Sequence, residues 1–330
     1  MTISYLFRSA ALRRFSIERV FETVMDHLPP GYEAQRWEAP SPRVRPDGMR
    51  ANMQAAAQIQ ADIAHVTGDI HYVVPALRVP SVLTIHDCTN IKKLSGLKRT
   101  IFRYFWFVRP VRAAGAVTAI SSASRDDIVQ YAGCAPDRVQ VILNPLTPGL
   151  PREPKAWPQD KVRILIQGSF WNKNRARQIE ALAGLPVVVN LVGDRSEDVE
   201  AAAQRAGVEM IWEKGLSDAE MRDRYVQADA VMFASLFEGF GMPIIEAQQV
   251  GRPVITSNRA PMPEVGADAA LYADPEDTAS LRGCVQQLLD DAALRDRLIE
   301  RGFANVERFQ PERVSRQYAD VYDRLRGGAK

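Results

Sequence analysis

Short apolar runs alternating with amphipathic stretches dominate the chain from residue 162 onward, and no other feature narrows its fold as much. Val162–Gln167, Val187–Val192, 208–211, Ala230–Phe233 and 253–256 read as buried strands, with helical patterns between them. Strand and helix alternating at this spacing require right-handed crossovers, so the strands lie parallel and both faces of the sheet are covered. The second half is thus expected to be a doubly wound, Rossmann-like α/β domain. The first half carries the same signature more sparsely, with strands at 81–86 and 115–120 and a helix over Ser16–Asp26.

Between the halves, residues 144–160 carry Pro145, Pro148, Pro151, Pro154 and Pro158. Each removes a backbone donor and stiffens the chain, which places the domain boundary there. The expected division is 1–147 and 148–310, with a C-terminal helix over 311–330 returning to the first domain. The C-terminal segment reads as helices over 278–291, Ala292–Val306 and 311–325, broken at Phe309-Gln310-Pro311. Two α/β domains of similar size are expected to bind ligands at the carboxyl ends of their strands, on either side of a cleft.

Composition excludes several classes of function. The 42 basic and 40 acidic residues give a net charge of +2, so no global field recruits nucleic acid, and no nucleic-acid partner is expected. The cysteines Cys88, Cys134 and Cys284 fit neither a disulfide framework nor a zinc site, which points to a reducing cytoplasm. The opening Met-Thr-Ile-Ser-Tyr-Leu-Phe-Arg lacks the apolar run of a secretory signal, and no stretch reads as a membrane span. No Asp-x-Asp and no His/Cys cluster with ligand spacing occurs, so no metal and no cofactor are expected.

The chemistry concentrates after the strand Ala230–Phe233, in Glu238-Gly-Phe-Gly-Met-Pro-Ile-Ile-Glu246. Gly239 and Gly241 allow close backbone approach and positive φ, and Pro243 suits the first turn of the helix that follows. Backbone amides from Gly239 through Phe240 and Gly241 to Met242 would then face an anion at a helix N-terminus, where the helix dipole favours negative charge. Glu238 is placed to accept hydrogen bonds from sugar hydroxyls, and Glu246, about one turn into the helix, to reach a ribose diol. The bland alternative is an ordinary turn with solvated glutamates.

A second anion site is expected where Val162–Gln167 runs into Gly168-Ser169-Phe-Trp-Asn-Lys173-Asn-Arg-Ala-Arg. Lys173 supplies a point charge to a diphosphate as negative charge builds on a leaving group. A solvated lysine at a helix start is its alternative. Arg175 and Arg177 read mainly as helix-surface residues, while Gly215 and Leu216 can frame a nucleobase through their backbones.

Read together, these segments resemble the family 4 retaining glycosyltransferases, which have two Rossmann-like domains in the GT-B arrangement. The resemblance rests on Gly-Ser-Phe-Trp-Asn-Lys-Asn, Val-Gly-Asp194, Gly215-Leu-Ser-Asp, the paired acids Glu238 and Glu246, Gly251-Arg-Pro-Val-Ile and Pro263-Glu264-Val-Gly. It implies transfer from a nucleoside-diphosphate sugar of UDP or GDP type to a hydroxyl, without metal and with retention. It also implies that Glu238 contacts the sugar, Glu246 the ribose and Lys173 the diphosphate. The family's arginine after the strand glycine is Ser169 here, with Arg175 a candidate substitute. A nucleotide-sugar 2-epimerase or a catalytically silent sugar-nucleotide binder shares the pattern. A nicotinamide enzyme is disfavoured because the third glycine of its fingerprint is missing.

The first half also resembles the family's acceptor domain, in Phe15-Ser-Ile-Glu18, His65-Val-Thr-Gly-Asp-Ile-His-Tyr72, Leu83-Thr-Ile-His86-Asp87 and Ala119-Ile-Ser-Ser-Ala-Ser124. The opening departs from it: Tyr5-Leu-Phe-Arg8-Ser9 lacks the glycine pair that touches the donor in many members. The resemblance makes His86 a histidine beside the transferred sugar, with Asp87 and His71 as acceptor contacts and Asp69 lining the same cleft. The alternatives are a core histidine for His86, a turn cap for Asp87 and packing roles for the other two. The implied acceptor is a saccharide or lipid-linked saccharide, in envelope or extracellular polysaccharide synthesis. Residues 92–112 interleave bases with aromatics and can lie against anionic lipid, giving peripheral contact at the inner face of the membrane. Packing inside a core is the competing expectation.

Overall fold

The computed structural model describes residues 1–12 and 16–327, so Phe15 and the last three residues of the expected C-terminal helix lie outside it. The chain forms two compact units, Met1–Pro145 with Gln310–Lys330, and Leu146–Phe309. Each is built on one six-stranded sheet whose described pairings are all parallel.

In the first unit the strands are β1 (Thr2–Phe7), β2 (Glu33–Glu38), β3 (Ile63–Val66), β4 (Ser81–Ile85), β5 (Ala116–Ala119) and β6 (Val139–Val141). Their spatial order is β2-β1-β3-β4-β5-β6. Side chains alternate across a strand, and β1 shows the consequence. Ile3, Tyr5 and Phe7 enter the core under helix Ser16–Asp26 and helix Pro311–Gly327, whereas Leu6 enters the opposite core with Val66, Leu83 and Ile85. Both faces are therefore dry, as a parallel sheet requires. The C-terminal helix starts on Pro311, the residue type best suited to a first turn, and buries Val314, Tyr318 and Tyr322 on this sheet.

That packing encloses a polar chain. His65 on β3 meets the Tyr322 hydroxyl through Nδ1 and the Thr84 hydroxyl through Nε2, each at 2.7 Å, and Tyr322 donates to the Tyr5 hydroxyl at 3.0 Å. A neutral imidazole has one donor and one acceptor nitrogen, and both are used. Burial pulls the His65 pKa down to about 3. The unfolded chain, with a histidine near the ordinary ~6.5, binds a proton that the folded chain refuses. Stability is therefore intact above about pH 6.5 and lost as the pH falls towards the folded value, by ~1.4 kcal/mol per pH unit. Urea unfolding is expected to show a loss between pH 6.5 and pH 5 that is about 2 kcal/mol larger in the wild type than in His65→Gln, where His71 and His86, whose pKa values burial also lowers, still contribute. Equal slopes in the two proteins would remove His65 as the cause.

In the second unit the strands are β7 (Val162–Gln167), β8 (Val187–Val192), β9 (Glu209–Glu213), β10 (Ala230–Phe233), β11 (Val254–Ser257) and β12 (Leu271–Ala273), in the order β12-β11-β10-β7-β8-β9. The expected strands at 208–211 and 253–256 are present, shifted by one or two residues. No described helix is long and apolar enough to cross a membrane.

Candidate active site

In a doubly wound sheet the strand order reverses at one place, and the two loops leaving the sheet there splay apart to leave a crevice. In the second unit that place lies between β7, which starts the sheet, and β10, which returns to pair beside it. The loops that leave these two strands are the ones carrying Lys173 and Glu238.

Gly168 follows β7 with φ of +107°, and a Cβ there would lie 2.7 Å from Lys173 Cγ. Glycine thus opens the path by which the lysine stem folds back over the strand end. Lys173 Nζ lies over the Phe233 ring, 5.0 Å from its centroid, and donates to Glu238 Oε1 at 2.6 Å. The side chains are 19% and 13% exposed, so each charge is mostly withdrawn from water and depends on the other. The second loop ends at Gly241, with φ of +113°, which caps the nine-residue helix Met242–Val250. Pro243 sits in its first turn, and no acidic residue opposes an incoming anion there.

The loops are joined by side chains that pattern reading passed over. Asn172 donates to the Phe237 carbonyl at 3.0 Å, and Asn174 donates to the Pro275 carbonyl at 2.6 Å and to that of Ala234 at 3.3 Å. Gln178 donates to the Lys173 carbonyl at 2.6 Å and accepts from the Ala234 amide at 3.1 Å. The asparagines flank Lys173 in a strand-glycine-loop context, a signal that was visible in the sequence. Gln178 gave none.

Glu246 is half-buried and oriented from both oxygens. Thr147 donates to Oε1 at 2.6 Å and Tyr225 to Oε2 at 2.5 Å, and Gln167 at the end of β7 donates in turn to the tyrosine. Burial, with the neighbouring Glu246 charge, raises the Tyr225 pKa well above its ordinary value, so the phenol keeps its proton and acts as a donor.

The other expected donor contacts fall into three groups. Phe240 is buried, its ring 5.9 Å from that of Phe309, so only its backbone is available to a ligand. Ser169 accepts from the Asp194 amide at 2.9 Å, tying the loop after β7 to the loop after β8. Arg175 is buried rather than on the helix surface, donating to the Asp194 carbonyl at 2.6 Å, to Ser196 Oγ at 3.1 Å and to the Ser169 carbonyl at 3.3 Å. Its guanidinium holds these loops. Leu216 is half-buried after β9, and two strands separate β9 from β10, so the strands that lead to Leu216 and Glu238 lie three strand spacings, roughly 14 Å, apart.

In the first unit the order reverses between β1 and β3, and Arg8 and Asp69 lie just beyond those strands. Arg8 is buried and donates twice to Glu18, at 2.8 and 2.9 Å. His86, after β4, donates from Nε2 to the Thr67 carbonyl at 3.1 Å. Burial pulls its pKa down to about 4, so the ring is neutral and Nδ1 is left as an acceptor. His71 is buried, donates from Nδ1 to the Trp106 carbonyl at 3.0 Å, and has its pKa lowered by burial. Asp69 accepts from the Trp106 indole at 3.1 Å, and burial raises its pKa. Asp87 accepts from the Thr89 amide at 2.7 Å, the hydrogen bond of a turn cap.

Two family models match the chain, Glycosyl transferases group 1 over residues 151–304 and Glycosyltransferase Family 4 over residues 11–149. The chain belongs to the family 4 glycosyltransferases. Among its relatives it is similar to O-antigen chain mannosyltransferase B of Escherichia coli, 26% identical over 239 residues, covering 64% of this chain and 61% of that protein. It is also 26% identical over 245 residues to the MMP alpha-(1->4)-mannosyltransferase of Mycolicibacterium hassiacum, covering 69% of this chain and 59% of the relative. The chain thus spans less than two thirds of the length of these two curated relatives.

A solved structure of Anabaena HepE in complex with UDP and glucose superposes with a TM-score of 0.78 at 17% identity, covering 98% of this chain and 99% of that one. At that identity the likeness is one of fold: the two doubly wound units of this family 4 glycosyltransferase have the GT-B architecture. Among the described residues, no group of three or more His, Cys, Asp or Glu side chains could hold a metal ion.

Proposed function

We propose that the chain transfers a sugar from a nucleoside diphosphate of UDP or GDP type to a hydroxyl of a saccharide or lipid-linked saccharide. Transfer proceeds with retention and without a metal, in the synthesis of envelope or extracellular polysaccharide. One observation carries the reading: Lys173 Nζ and the Glu238 carboxylate meet at 2.6 Å where the sheet order reverses, beside the N-terminus of the helix that begins at Met242.

A cation and a helix N-terminus together stabilise a diphosphate, and they do so most strongly when the sugar departs and the diphosphate gains charge. Glu238, released from Lys173 when phosphate takes its place, turns both oxygens to sugar hydroxyls. Glu246, already oriented by Thr147 and Tyr225, accepts from the ribose diol. In the first unit, neutral His86 accepts a hydroxyl proton's hydrogen bond at Nδ1. The names of the relatives, two mannosyltransferases and a protein bound to UDP and glucose, support a hexose donor.

A panel of UDP, GDP, ADP and TDP sugars screened by thermal shift tests this. One base is expected to stabilise the protein, by about 2.7 kcal/mol at a hundredfold excess over Kd. Glu246→Ala is expected to weaken that donor by about 10- to 100-fold in calorimetry, the loss of charge-assisted ribose bonds. No stabilisation by any donor would overturn the reading. Conversion of the donor to an isomeric nucleotide sugar without acceptor would replace transfer by epimerisation.

A further inference from the structure

The first unit holds an apolar groove of about 790 Å³ that donor chemistry does not use. Met49 and Met53 of helix Pro46–Ala56 form one wall, Lys98, Ile101 and Phe102 of helix Gly96–Arg103 the other, and Trp106 closes the floor. Apolar side chains stand in water around it: on the second helix Leu97 is 74% exposed and Ile101 50%, and Val44, just before the first helix, is 60% exposed. A π-helical turn over Tyr104–Val108 buries Trp106, Phe107 and Val108 while leaving Tyr104 and Phe105 outside. Packing of residues 92–112 into a core thus holds for part of the segment only.

Two further observations identify what the groove receives. The first is charge. Arg50 and Lys98 stand in the groove's lining, which includes no acid; Lys98 is the one of the seven lysines and arginines of residues 92–112 found there, and Lys92 is paired with Asp127. The second is continuity with the polar sheet edge. Trp106 stacks on Phe102 at 4.7 Å, its indole N–H holds Asp69 at 3.1 Å, and its carbonyl accepts from His71 at 3.0 Å. One residue therefore lines the groove and fixes the polar side chains beyond β3.

We infer that the groove holds the hydrocarbon chain of an amphiphilic acceptor, a lipid phosphate whose anionic group meets the basic rim and whose sugar end lies at the Asp69, His71 and His86 edge. This rests on the proposed transfer reaction and narrows its acceptor from saccharides in general to lipid-linked ones. The volume lies within the range of small-molecule pockets, and the lining supplies an apolar interior with few polar groups.

Calorimetry of the full chain with octyl, decyl and dodecyl phosphate, below their micellar concentrations, tests it. Affinity is expected to rise with each added methylene, by up to about fourfold when the group is fully buried. Dodecyl phosphate should bind more tightly than dodecyl glucoside. Met53→Trp, which fills the groove from a half-buried position, should abolish the chain-length dependence while leaving nucleotide-sugar binding unchanged. Chain-length-independent or absent binding would overturn the proposal. So would binding only to phosphatidylglycerol vesicles, lost in Leu97→Glu but not in Met53→Trp, which would make the face a membrane contact. A concentration-dependent dimer broken by Ile101→Glu would overturn it in favour of a second copy. If donors fail to bind while alkyl phosphates bind, the transfer reading fails and the groove stands; the opposite pattern spares the reaction and removes the groove.

Discussion

Glu238→Ala is expected to lower sugar transfer by about 100-fold or more while leaving the chain folded. The side chain is at a loop position, 13% exposed, and its one described ion pair is to Lys173. Charge-assisted hydrogen bonds are worth about 1.5–3 kcal/mol each, and two to the transferring sugar account for a loss of that size. The loss is expected in kcat more than in KM, because the diphosphate keeps its cation and helix terminus. Glu238→Gln serves as the control, since it retains an acceptor for Lys173 but lacks the charge. Wild-type-like turnover in both variants, measured with the stabilising donor, would remove Glu238 from the site.

Lys173→Met is expected to cost more in donor binding and as much in turnover. Among the described residues, its ammonium is the one cation placed at the β7 to β10 reversal by both a glycine that admits its stem and a carboxylate that orients its tip. Removing one pre-organised group that stabilises developing negative charge costs roughly 100- to 1,000-fold, or ~3–4 kcal/mol. The variant also leaves Glu238 facing the diphosphate without a counter-charge, so donor affinity falls as well. Unchanged kcat/KM in Lys173→Met would show that the lysine only neutralises Glu238.

Much of this arrangement was legible in the sequence because the second sheet is buried on both faces. Val187–Val192 is apolar except for Asn190, and Val162–Gln167 is apolar except for Arg163 and Gln167, as interior parallel strands tend to be. The strand β2, Glu-Ala-Gln-Arg-Trp-Glu, escaped notice for the opposite reason: it lies at the sheet edge, largely exposed, and its composition is that of a loop. The three-residue edge strand β12 is too short to show a period.

The site divides along the same line. Lys173 and Glu238 each announced themselves by a glycine loop after a strand, but their contact spans 65 residues and exists only because β7 lies beside β10. No local pattern encodes that neighbour relation. Tyr225 and Thr147 reach Glu246 from elements with no motif of their own. Phe240 entered the cradle through its backbone amide, and the burial of its ring against Phe309 leaves that amide as its only means of contact. Arg175 looked like a surface helix residue because the sequence does not show that the strand-end carbonyls of two loops converge on it.

Calorimetric titration of UDP and GDP into the wild type, Glu238→Ala and Lys173→Met tests whether a diphosphate takes the place of Glu238 at Lys173. The nucleotide that binds the wild type is predicted to bind Glu238→Ala as tightly or more tightly, because the lysine no longer has to leave a partner. Binding to Lys173→Met is predicted to be weaker by at least about tenfold, the loss of one charge-assisted contact. Equal affinity in all three proteins, or a loss in Glu238→Ala as large as that in Lys173→Met, would contradict the account.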